Sequence, residues 1–256
     1  MTLICEIVLN SEETPLGTVI CVGSGKGGVG KTAVAVCLAA CLAEAGKKTL
    51  LCDFSIPFGT ADMFVSGGER AVFDLSDFAC GRAELSETEV EVEDNLFFAA
   101  SGKAVLSERE LADCVKKIDR FAGRYDFVVA DCPADGRLTV EKNFSKILSL
   151  CVTRPDPESV RSASVYAGLV SRLSPVWAKY ILNCFSSNAV GKGNGLDLLT
   201  DRVGLPLLGV IPQSGEMAKC LCCGQSLKRG TAKGAFERIA GRICGQSIPL
   251  PDLGRI

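Results

Sequence analysis

The sequence predicts an α/β fold: a mostly parallel β-sheet flanked by helices on both faces, in three αβα layers. Short apolar runs alternate with longer segments of helical period along the chain, as expected for strands buried on both sides and joined by covering helices. One glycine-rich turn leads straight from such a run into a helical segment. The 256 residues, 47% hydrophobic and 23% charged, suffice to bury the core of one domain of ordinary size.

The apolar runs fall at 18–22, 49–52, 96–100, 125–130, 147–153, 180–182 and 207–211, each bounded by turn residues or charges. Residues 1–17 read as an N-terminal extension whose "LICEIVL" supplies an edge strand, and 18–256 as a single domain. Segment 32–45 is apolar nearly all round and closes at Gly46, which predicts a central, buried helix. "SERELADCVKKIDRFAGR" opens on a capping-box pair, Ser107 and Glu110, and repeats apolar residues at Leu111, Val115 and Ile118. That spacing predicts a surface helix with one buried stripe. "NAVGKGNG" at 188–195 reads as a mobile loop.

Composition excludes several classes of function. A net charge of -2 and a pI near 5.4 provide no global basic field for nucleic acid or anionic lipid, so neither is an expected partner. No run reaches the roughly 18 apolar residues of a membrane span, and the start lacks the features of a secretory signal, so a cytoplasmic location is expected. Histidine is absent, which removes imidazole acid/base chemistry, Ser-His-Asp triads and histidine-ligated metals. The fourteen cysteines, scattered through a large domain, read as reduced thiols.

The strongest motif is Gly25-Lys26-Gly27-Gly28-Val29-Gly30-Lys31-Thr32, which satisfies G-x-x-x-x-G-K-[ST] between an apolar run and a helix. Glycines let consecutive N–H groups turn inward onto phosphate oxygens, and the positive end of the following helix strengthens that field. Lys31 is expected to reach the β- and γ-phosphates and Thr32 to ligate Mg²⁺, with Ala33 counted among the nucleotide-binding residues. Lys26 is not explained by this motif, and a second cation costs repulsion unless another anion neutralises it.

"KGGVGKT" resembles the deviant Walker A motif of the MinD/ParA family of ATPases, in which the first lysine crosses to the nucleotide of a partner subunit. The resemblance extends over nearly the whole chain after residue 17, with features of the MinD-like and CpaE/TadZ-like branches, the latter through Phe58-Gly59. It implies ATP and Mg²⁺ as ligands, a nucleotide-sandwich homodimer using Lys26, and an as yet unidentified protein partner. "YDFVVADCPADG" is similar to the family's Walker B and switch II, placing Asp131 on Mg²⁺ through water. "YILNCF" and "LLGVIPQS" imply that Asn183, Pro212 and Gln213 flank the adenine. "CDFSIPFGTAD" resembles switch I, implying that Asp53 acts at the metal and in catalysis.

Where switch I of the family carries a second aspartate that polarises the attacking water, this chain has Ser55, which can hydrogen-bond a water but cannot take its proton. Asp62 lies well outside the matching position. Asp135 stands where the family usually has glycine near the γ-phosphate, adding a carboxylate opposed to the anion. Slow or impaired hydrolysis is therefore expected, with Lys26, Lys31, Asp53 and Ser55 as the catalytic set. After Pro251 the chain has no counterpart of the amphipathic helix that anchors MinD, so no direct membrane anchor is expected. "CLCC" at 220–223 places Cys220, Cys222 and Cys223 in C-x-C and C-x-x-C spacing, leaving two readings: thiols half buried against the core, or a metal site of a metallochaperone-like maturation ATPase. The expected function is an ATP-gated dimer that positions or regulates a cellular component of division, partition or pilus type. A scaffold that binds ATP without hydrolysing it stands beside that expectation.

Overall fold

The computed structural model of the protein describes residues 17–134, 138–173, 177–186 and 195–251. Residues 1–16 of the expected extension, most of the 188–195 loop, and Asp135 lie outside the described residues. Eight strands form one sheet: β1 (Thr18–Gly23), β2 (Thr49–Asp53), β3 (Glu89–Glu93), β4 (Leu96–Ala99), β5 (Phe127–Asp131), β6 (Ile147–Thr153), β7 (Ala178–Phe185) and β8 (Leu207–Pro212). Their order is β3-β4-β2-β5-β1-β6-β7-β8, and every neighbouring pair is parallel except β3–β4.

The expected apolar runs are the parallel strands. Being covered on both faces, they need no polar side, which is why "TVICVG" and "FVVAD" are buried from end to end. Alternate residues feed opposite layers: Ile20, Val22, Leu51 and Val129 meet one set of helices, whereas Val19, Cys21, Leu50 and Val128 meet the other. The first set comprises α1 (Lys31–Glu44) and, among later helices, α7 (Gly215–Cys222) and α8 (Thr231–Ile243). The second layer contains α2 (Leu75–Ala79), α4 (Glu108–Phe121), α5 (Pro157–Val170) and α6 (Gly195–Val203). A short helix, α3 (Leu85–Thr88), leads into β3.

The helix expected at 32–45 is α1, buried nearly all round and closed by Gly46 in the left-handed region at φ 77°. In α4 the capping box forms as expected: Ser107 Oγ accepts the Glu110 N–H at 3.2 Å, and Glu110 Oε2 accepts the Ser107 N–H at 2.8 Å. Strand β3 is an addition to the sequence expectation. Its "EVEVE" has the period-two pattern of a strand, and the turn before β4 places Asn95 at φ 63°. Among the described residues β3 is the edge strand, where Glu91 meets water while Glu89 accepts from the Tyr125 hydroxyl beside Arg124 and Glu93 accepts from Ser226 beside Lys228.

Leu38 lies in α1 with no solvent exposure, inside the core that joins this helix to the sheet. Leu38→Ala is expected to cost about 2–5 kcal/mol, seen as a lower urea midpoint with an unchanged denaturant slope.

Candidate nucleotide site

The middle of the sheet concentrates chemistry because β1 lies between β5 and β6, so connections leave it in opposite directions and a crevice opens beyond the carboxyl ends. Three of those ends matter here: β1 runs into the glycine loop, β2 ends on Asp53 and β5 ends on Asp131. In the ladder Asp53 stands directly beside Asp131.

The glycine loop passes into α1 at Gly30, whose φ of 94° lies in the left-handed region and whose absent side chain leaves room for Asn183. A Cβ at Gly30 would sit 2.4 Å from Asn183 Nδ2. No side chain caps the start of α1, so its first-turn amides remain available to an anion. Space beside Gly27 and Gly28 is open. Lys31 is buried at the helix start and close enough to Asp131 to stabilise its charge, while Ala33 packs partly against the core.

Thr32 Oγ1 donates to Asp131 Oδ2 at 2.6 Å, tying the first turn of α1 to the tip of β5. The other oxygen, Asp131 Oδ1, is buried with no hydrogen-bond partner among the described residues. Burial above all, and then the neighbouring Asp53, push the Asp131 carboxyl up to about 7 against the opposing pull of Thr32 and Lys31. Burial likewise raises Asp53, partly offset by the amides of Ala61, Ser55 and Thr60, while Asp62 pushes it further up. Two adjacent carboxylates, one with an unused buried oxygen, and a hydroxyl make a donor set suited to a hard divalent cation such as Mg²⁺.

Asp53 also organises the segment after β2: its Oδ1 accepts the Ser55 N–H and its Oδ2 the Ala61 N–H, each at 3.0 Å. Ser55 thus sits at the site, half buried, and the chain folds back so that Asp62 comes within electrostatic reach of Asp53. Sequence distance had hidden that approach.

Among the residues expected around adenine, Asn183 is buried and donates from Nδ2 to the Val29 carbonyl at 2.9 Å, so its amide straps the glycine loop. Pro212 is buried at the end of β8; Gln213 is exposed and its N–H donates to Phe185 O at 2.8 Å. Gly25 packs against α5, and Lys26 Nζ lies 2.7 Å from Glu158 Oε2 on that helix. Glu158 was not singled out from the sequence, although its place in the first turn after "TRPD" sets it beside the loop.

The cysteine cluster departs from the half-buried expectation. Cys220 is half buried against the core, whereas Cys222, the last residue of α7, and Cys223, its cap, are exposed. Among the described residues no group of three or more cysteine, aspartate or glutamate side chains is gathered to hold a metal ion.

Residues 17–145 match the sequence profile of a family described as an AAA domain. The septum site-determining protein MinD of Bacillus subtilis strain 168 is 27% identical over 256 residues, covering 93% of this chain and 93% of that one. The structure of the MinC:MinD cell division protein complex from Aquifex aeolicus superimposes with a TM-score of 0.80 at 27% identity, over 92% of this chain and 98% of that chain. MinD of Pyrococcus horikoshii OT3, solved with Mg-ADP, shares the fold at a TM-score of 0.73 and 22% identity, over 90% of this chain and all of that one (100%).

The Asp131 carboxyl titrates near 7 in the folded metal-free protein and near 4 in the unfolded chain, so between those values the folded state holds the extra proton. The contribution of Asp131 to stability without metal is therefore fully present below about pH 4 and is lost as pH rises through about 7. Thermal melts in chelator across that range are expected to show the fall, and Asp131→Asn to flatten much of it.

Proposed function

This chain belongs to the MinD/ParA family of P-loop ATPases, and from that premise we propose that it binds ATP with Mg²⁺ and pairs with a second copy across the nucleotide. In that state it acts as a slow, nucleotide-gated switch that positions or regulates a component of division or partition. The observation that carries the reading is the Thr32–Asp131 pair, with its unused buried oxygen, beside a glycine loop that has open space at Gly27 and Gly28 and leads into a helix whose start no side chain caps. The curated relatives named for septum-site determination, and the MinD structure solved together with MinC, support a role exercised through a protein partner.

The chain's own residues divide the work. Gly27 to Gly30 and the first turn of α1 direct amides at the phosphates, while Lys31, held at the helix start, answers the negative charge nearest the transferring group. Thr32 and Asp131 hold the cation, with Asp53 beside them; Mg²⁺ supplies charge neutralisation on the phosphate oxygens. Asn183 keeps Val29, and hence the loop, in register. Lys26 is the cation offered to the second copy.

Turnover is slow on this reading because Ser55 stands where a carboxylate would orient and deprotonate water. The same residue favours a second reading, a scaffold for which bound ATP sets only shape. Phosphate release separates the two. Ser55→Asp is expected to raise the rate about tenfold or more, and an unchanged rate would mean that Ser55 does not limit hydrolysis. Lys26→Ala is expected to leave ATP affinity within about threefold and to abolish the ATP-dependent increase in size on a sizing column. A dimer that persists in this variant would refute the trans role.

A further inference from the structure

In the free chain Lys26 already has a partner. An arm of the glycine loop, residues 23–26, lies along one face of α5 through contacts one helical turn apart. At Gly23 an added Cβ would sit 1.8 Å from the Tyr166 hydroxyl oxygen, and at Gly25 2.0 Å from the Ser162 carbonyl oxygen. Glu158, one further turn back, meets Lys26 at 2.7 Å. Positions 158, 162 and 166 share a face because they are spaced by four.

The face is held still at both ends. Tyr166 donates to the buried Glu141 at 2.6 Å, and Asp156 caps the helix by accepting the Ser159 N–H at 2.9 Å. Ser24 Oγ donates to the Lys26 carbonyl at 2.7 Å, fixing the loop tip from which the lysine leaves. Glu158 lies in the first turn of α5, where the helix field favours a carboxylate, and Asp156 adds a second negative charge within reach of Lys26.

We propose that Glu158 is a cis lock on Lys26: the ion pair holds the lysine against its own helix and must open before the lysine can serve a second copy. This deepens the reading of Lys26 as a trans residue and rests on it. The pair has the strength a reversible brake requires. Its side chains are 34% and 76% exposed, so it is a screened surface contact rather than a buried one. Each copy carries one lock, and both must open when two copies meet, so a modest contact acts twice on the dimer equilibrium.

The test measures dimer dissociation by sedimentation with saturating ATP and Mg²⁺ at one salt concentration. The proteins compared are the full chain, Glu158→Gln, Lys26→Ala and the double variant. Because Glu158 is largely exposed, the glutamine should fold normally, and ATP affinity measured separately confirms saturation. Glu158→Gln is expected to tighten the dimer about fivefold, and the double variant to remain monomeric like Lys26→Ala. A dimer in the full chain that Glu158→Gln leaves unchanged or weakens would overturn the lock while leaving the trans role standing. A gain in dimer that survives in the double variant would also overturn it, since the effect would not pass through Lys26. Monomers throughout would instead remove the trans role and the lock with it.

Discussion

The hydrogen bond from Thr32 to Asp131 joins the two things a phosphate site must hold together: the start of a helix and the tip of a central strand. One end depends on the glycine loop, which sets where α1 begins. The other depends on the parallel ladder, which sets how far β5 projects and brings Asp53 alongside. Were either displaced by a residue, hydroxyl and carboxylate would part and the amides of α1 would point elsewhere. The strand order matters for the same reason, because with β1 between β5 and β6 a crevice opens beyond the strand ends where the loop lies.

Charge organisation around this bond is costly without a ligand. Two carboxylates emerge side by side from a buried sheet, and one keeps an oxygen with no protein partner among the described residues. Such an arrangement opposes its own ionisation, and a cation held between the two carboxylates would relieve that tension. With no histidine anywhere in the chain and a serine in place of the second switch I aspartate, the site lacks an imidazole and, at that position, a carboxylate that could act on water.

Much of this was legible in the sequence because it follows from local chemistry. The glycine loop, the all-round apolar α1 and the Ser107–Glu110 cap each carry their cause within a few residues. What the sequence hid is mostly tertiary. Asp62 approaches Asp53 only because the Asp53 carboxylate gathers the amides that precede it. Asn183 binds the Val29 carbonyl across more than a hundred residues of chain, and Lys26 meets Glu158 on a helix that no local pattern connects to the loop. The exposure of Cys222 and Cys223 reflects where α7 ends, and helix ends are among the least certain features to read from residues alone. Strand β3 is the exception: its alternation was visible, and its glutamates disguised it as a surface segment.

Those glutamates bear on how copies of the protein meet. Among the described residues β3 is the outermost strand at its end of the sheet; Glu89 pairs with Arg124 and Glu93 with Lys228, which leaves Glu91 exposed, so two such rims brought together would set Glu91 against its like. Molecules crowded at high local density are thereby discouraged from zipping rim to rim into a continuous ribbon.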